Sequence, residues 1–153
     1  MTRIVVLDTG VLGPLTHPKG SAESKRCLDW FTSLVDSGVV FVLPEIADYE
    51  LRREALRARR TSVAQRLDAL KTLIRYEPIT TAAMLEAARL WAWVRNQGQP
   101  TADPKALDGD VILAGQVAQL VPLSDDIVVA TTNVRHLALF GHASNWQDIL
   151  LPA

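Results

Sequence analysis

The sequence predicts an α/β fold, a three-layer α/β/α sandwich around a mostly parallel central sheet, and three observations predict it. Short β-branched runs recur at residues 3–7, 39–43 and 127–130. The segments between them carry apolar residues at helical spacing, so strands alternate with helices, the pattern of parallel pairing through right-handed crossovers. No internal repeat, low-complexity tract or linker divides the 153 residues, and a hydrophobic content of 48% is ample for one continuous core. One domain spanning residues 1–153 is expected.

The run Arg3 to Leu7 is uninterrupted, which suits a central strand buried on both faces. Gly10 and Gly13-Pro14 are expected to close it. From Ala22 to Ser37, Cys27, Leu28, Phe31, Leu34 and Val35 follow helical spacing, and Gly38 stands where that helix stops. Val39 to Leu43 is the second strand, and Pro44 opens a helix from Glu45 to about Arg59. Thr61 or Ser62 caps a helix through Leu73, and a short strand follows near Tyr76. Thr80 begins a longer helix with Met84, Ala87, Ala88, Trp91 and Val94 as its buried face and Gly98 at its end. Gln97 to Lys105 reads as a loop, Asp110 to Leu120 as a helix, Ile127 to Ala130 as a strand, and Trp146 to Leu151 as a short edge strand or ordered tail.

Bulk properties exclude several classes. Sixteen basic residues stand against 17 acidic ones, so no global positive charge announces a polyanion partner, and any such site must be local. The longest apolar runs fall far short of the roughly 20 residues that span a bilayer, so no membrane association is expected. The first residues lack the pattern of a signal peptide, and the lone Cys27 cannot form an internal disulfide. A cytoplasmic protein is the expectation.

The chemistry concentrates in acids at element ends. Asp8 follows Ile4-Val5-Val6-Leu7, Glu50 lies on the helix that follows Pro44, and Asp108 and Asp110 precede Val111-Ile112-Leu113-Ala114. Singly, each has a plain structural reading. A strand-end Asp caps the next helix, Glu50 pairs with Arg53 on a solvated face, Asp108 serves as an N-cap, and Asp110 complements a helix dipole. Jointly, several carboxylates gathered from distant segments repel one another unless a cation or protons neutralise them. Oxygen-only donors point to Mg²⁺ or Mn²⁺ rather than zinc, because Cys27, His17, His136 and His142 lack zinc-ligand spacing. Such an ion suits phosphodiester hydrolysis with water as the nucleophile.

The strand Ile4-Val5-Val6-Leu7-Asp8-Thr9, the Pro44-Glu45-Ile46 helix bearing Glu50-Leu51, the block Asp110-Val111-Ile112-Leu113-Ala114-Gly115 and the ending Val129-Ala130-Thr131-Thr132-Asn133 resemble the PIN domain. The chain is most similar to the small single-domain PIN proteins that include VapC-type toxins. The resemblance covers nearly the whole chain in the right order. It implies a Mg²⁺/Mn²⁺-dependent endoribonuclease in which Asp8, Glu50 and Asp110 hold the ion and the attacking water. Asp108 is an additional acid that acts through water or on its neighbour's pKa, and Thr9, Thr131 and Asn133 shape the site. A homodimer and a cognate antitoxin are implied partners. The departure lies after Asn133, where many relatives carry a further Asp and this chain carries His136.

The densest basic cluster, Arg52, Arg53, Arg57, Arg59, Arg60 and Arg66, begins two residues after Glu50. It is either a salt-bridged solvated face or a strip that draws an RNA backbone toward the acids, with Arg53 and Arg57 the first choices as RNA contacts. Trp91 falls on the apolar stripe of its helix, while Trp93 falls off it. The opposing reading is a non-catalytic RNA-binding or scaffolding domain with a weakened metal site. A phosphotransfer role for Asp8 is disfavoured, because Asp8-Thr9-Gly10-Val11 lacks a second Asp.

Overall fold

The structure, a computed structural model, describes residues 2–17, 20–97 and 104–150. Five strands, β1 (Ile4–Leu7), β2 (Val40–Pro44), β3 (Arg75–Glu77), β4 (Ile127–Thr131) and β5 (Ala143–Asn145), form one sheet in the order β3-β2-β1-β4-β5. All four pairings are parallel. The helices are α1 (Thr9–Thr16), α2 (Ala22–Asp36), α3 (Glu45–Arg57), α4 (Thr61–Leu73), α5 (Thr81–Asn96), α6 (Pro104–Ala118) and the short α7 (Val134–Leu137).

β1 is the centre of the molecule, and its sequence explains why. Val5 and Leu7 pack on one face with Phe41, Leu43, Val128 and Ala130 of the neighbouring strands, and with Leu12, Cys27, Leu34 and Leu67 from the helices. Ile4 and Val6 pack on the other face with Val42, Val129, Ile46, Leu113 and Leu120. Alternate residues therefore enter opposite cores, which is the three-layer sandwich that an unbroken apolar run predicts. Each such side chain, fully withdrawn from water, contributes about 1.5–3 kcal/mol. Trp30 stacks edge-on to Phe41, with ring centroids 5.4 Å apart, and donates from Nε1 to the Ile149 carbonyl at 2.9 Å, which latches the C-terminal turn onto α2. Among the described residues no helix is long and apolar enough to cross a membrane.

Several elements differ from the sequence expectation. Residues 9–16 do not loop away from β1 but coil at once into α1, because Asp8 caps it through Thr9 N–H and Val11 and Leu12 bury completely. Arg60, not Thr61 or Ser62, occupies the N-cap of α4, and it makes no side-chain cap bond. The helix expected from Asp110 begins at Pro104, so Asp108 and Asp110 lie within α6 and neither caps it. Gly98 and the 98–103 part of the expected loop lie outside the described residues. The last strand is Ala143–Asn145, and Trp146–Asp148 is a 3₁₀ turn.

The buried face of α5 is also rotated from the expected one. Ala83, Ala87 and Val94 are buried, whereas Met84 and Trp91 are 45% and 40% exposed. The cause is the closeness of α5 to α6. A Cβ added to Gly115 would stand 2.2 Å from the Ala83 carbonyl oxygen, so the two backbones meet where only small residues fit. The larger side chains are turned outward to line a groove shared with Val111 and Ile112.

Candidate functional site

The strand order reverses direction at β1, with β2 and β3 on one side and β4 and β5 on the other. Open α/β sheets bind ligands at such a point, beyond the carboxyl ends of the strands. Asp8 ends β1 there. Its Oδ1 accepts from Thr9 N–H at 2.8 Å, and its Oδ2 accepts from the hydroxyl of Thr131, the fully buried last residue of β4, at 2.7 Å. Burial pushes the Asp8 carboxyl above its ordinary range, and the bonds from Thr131 and Thr9 partly offset this.

Glu50 is brought in by α3. Thr9 Oγ1 donates to Glu50 Oε1 at 2.9 Å, which joins the first turn of α1 to the middle of α3. The other oxygen, Oε2, lies 2.7 Å from where a Cβ on Gly109 would stand, so Glu50 rests against α6 in space left by a missing side chain. Asp110 follows on α6. Its pKa is raised from 3.8 to about 6, chiefly by burial and then by the Asp8 charge, with a smaller push from Glu50 and with His136 opposing them. Carboxylates from β1, α3 and α6 thus feel one another electrostatically, the situation that divalent cations relieve.

One buried side chain ties α3 to α6, and a second, partly buried contact ties the start of α3 to β3 and the residues after it. Gln116, six residues beyond Asp110, accepts from Ile46 N–H at 3.1 Å and donates to the Glu77 carbonyl at 2.6 Å. Glu45 accepts from the Tyr76 hydroxyl at 3.0 Å and from Ile79 N–H at 2.8 Å. Neither Gln116 nor Gly109 stands out as functional in the sequence. The available signal was a lone Gln in an apolar helix, between Leu113, Ala114 and Leu120.

The remaining candidate residues divide. Asn133 N–H donates to Thr131 Oγ1 at 2.8 Å, and Asn133 Nδ2 lies 2.9 Å from His136 Nδ1, so both join the Asp8 end of the site. Asp108 is exposed and lines the groove between α5 and α6 with Met84 and Trp91. Arg53 does not pair with Glu50; its guanidinium lies 4.9 Å over the Tyr49 ring. Arg57 pairs with Glu54, both exposed, and Arg52 bonds Asp48 at 2.7 Å and Asp68 at 2.8 Å.

The donor set is hard oxygen, as Mg²⁺ or Mn²⁺ prefers. Among the described residues no three His, Cys, Asp or Glu side chains stand ready-arranged as a metal cage. The acids are of the chemical type such an ion takes, and no closed set of distances among them forms a cage.

No known family profile matches the sequence, and no curated protein matches it significantly. Solved structures do. VapBC2 from Rickettsia felis, bound to a DNA fragment from its promoter, matches with a TM-score of 0.66 at 12% identity over 94% of this chain and 98% of the other. VapBC-1 from nontypeable Haemophilus influenzae matches with a TM-score of 0.66 at 16% identity over 95% and 99%. DNA-bound VapBC from Salmonella typhimurium matches with a TM-score of 0.62 at 17% identity over 95% and 99%. At these identities the likeness is one of fold, and as a likeness of fold it bears out the resemblance of the sequence to PIN domains of the VapC type.

Proposed function

We propose that the chain is a Mg²⁺- or Mn²⁺-dependent endoribonuclease of the VapC kind, the toxin of a toxin–antitoxin pair acting in the cytoplasm. The observation that carries this reading is the convergence of carboxylates from separate elements: Thr9, which follows Asp8, bonds Glu50, Glu50 rests against Gly109 next to Asp110, and the Asp8 and Glu50 charges add to the burial that raises Asp110. Asp8, Glu50 and Asp110 would hold the ion. Bound there, it would lower the pKa of its water and neutralise charge on the scissile phosphate. The protein's own part is orientation. Thr131 and Thr9 fix Asp8 and Glu50 by donating to them, and Arg53 and Arg57 draw the RNA backbone along α3. A cognate antitoxin and a second copy of the chain are the partners proposed, on the resemblance alone.

The testing experiment is cleavage of a mixed single-stranded RNA pool with Mn²⁺, with Mg²⁺ and with chelator, alongside Asp8→Asn. Metal-dependent cleavage that the variant lacks supports the reading. A second reading, a non-catalytic RNA-binding domain, is favoured by the lack of a ready-made metal cage among the described residues. It predicts RNA binding without cleavage and no rise in melting temperature on adding Mn²⁺.

A further inference from the structure

Asp8, Thr131, Asn133 and His136 form one hydrogen-bonded string. Thr131 donates to Asp8 at 2.7 Å, Asn133 N–H donates to Thr131 at 2.8 Å, and the Asn133 amide reaches His136 Nδ1 at 2.9 Å. The string runs from the end of β4 into α7 and fixes the imidazole relative to the Asp8 carboxylate. With the amide nitrogen facing the ring, as it stands here, Nδ1 is the acceptor and the neutral imidazole carries its proton on Nε2. Nε2 therefore offers a donor and no lone pair, which suits it to meet an acceptor and not to ligate a metal. Among the described residues that N–H has no protein partner. The ring is half-buried and lies near Asp110.

A pocket of carboxylates repels the phosphate it must admit, and a donor at its rim offsets that repulsion. We propose that His136 contacts substrate, donating Nε2–H to a non-bridging phosphate oxygen of RNA, and that Asn133 is the positioning residue that holds the ring for this contact. The proposal rests on the nuclease reading of the acids.

The test is steady-state cleavage of a single-stranded RNA pool in Mn²⁺, paired with calorimetric Mn²⁺ titration of the same proteins. His136→Ala raises KM about tenfold or more, the loss of a hydrogen bond to a charged group, with kcat little changed. His136→Gln, whose amide nitrogen stands near the place of Nε2, recovers most of the loss. His136→Asn does not, and Asn133→Ala shows a smaller loss in the same direction. Mn²⁺ affinity is unchanged throughout. Cleavage by His136→Ala at the wild-type KM would overturn the proposal, and so would a fall in its Mn²⁺ affinity, which would make the residue a ligand. Wild-type protein that neither binds Mn²⁺ nor cleaves RNA would remove the nuclease reading itself, a result separable from both.

Discussion

Glu50 occupies the space that a side chain at position 109 would fill: a Cβ on Gly109 would stand 2.7 Å from Glu50 Oε2. The obstructed atom is the end of a flexible side chain, not backbone, so the carboxylate can swing away and the fold survive. Gly109→Ala is therefore expected to hold or raise the melting temperature of the metal-free protein, since Ala favours a helix over Gly by about 1 kcal/mol. The same change should weaken Mn²⁺ binding, and adding it to Glu50→Gln should cost nothing more. Calorimetry of the two single variants and the double variant checks this.

Asp110 gives a pH dependence whose sign is set by its raised pKa. Between pH 3.8 and about 6 the folded state keeps a proton that the unfolded chain has released, so the contribution of Asp110 to stability falls as pH rises through that window and stays lost above it. Asp110→Asn removes the group that titrates. Its metal-free form should be more stable than wild type near neutral pH and no more stable at pH 4, while losing Mn²⁺-induced stabilisation. Melting temperatures of both proteins across the pH range measure the difference.

Gln116 satisfies two backbone groups, Ile46 N–H and the Glu77 carbonyl, in a buried setting. Gln116→Leu keeps the volume and strands both. A loss of about 3 kcal/mol in urea denaturation is expected, with an unchanged m-value. A loss under 1 kcal/mol would show that water replaces the amide and that the tie between α3 and α6 is weak.

Arg57 is engaged by Glu54 and Arg53 lies over Tyr49, so neither meets RNA without rearranging. An exposed pair holds weakly. Arg53→Ala with Arg57→Ala should weaken RNA binding and flatten its salt dependence, whereas Glu54→Gln, which frees Arg57, should strengthen binding at low salt. Fluorescence anisotropy over a salt series distinguishes these outcomes from a merely solvated helix face, for which all three curves coincide.

The parts of the fold that were legible in the sequence are those that water alone decides. β1 is buried on both faces, so its apolar run is unbroken and its acid marks the end of the strand. α1 was hidden because Gly10, Gly13 and Pro14 read as a turn, while the cap from Asp8 and the burial of Val11 and Leu12 outweigh them. The face of α5 was misjudged for a different reason. Apolar periodicity ranks Met84 and Trp91 as core, but close helix approach selects small residues, and Gly115 lies 115 positions into the chain with nothing local to say that it meets Ala83. The acids Asp8, Glu50 and Asp110 were legible by type and order. Their supports were less so: Thr9 to Glu50 spans 41 residues and Thr131 to Asp8 spans 123, distances over which only the fold creates neighbours.

The proposed function requires Asp8, Glu50 and Asp110 to act as one cation site. Calorimetric titration of Mn²⁺ into the wild-type protein and into Asp8→Asn, Glu50→Gln and Asp110→Asn, each confirmed folded by circular dichroism, tests it most directly. Saturable binding to wild type is expected, weakened about tenfold or more by each substitution, because each removes a ligand charge from a shared ion. Wild-type binding that none of the three substitutions alters, or no binding at all, would contradict it.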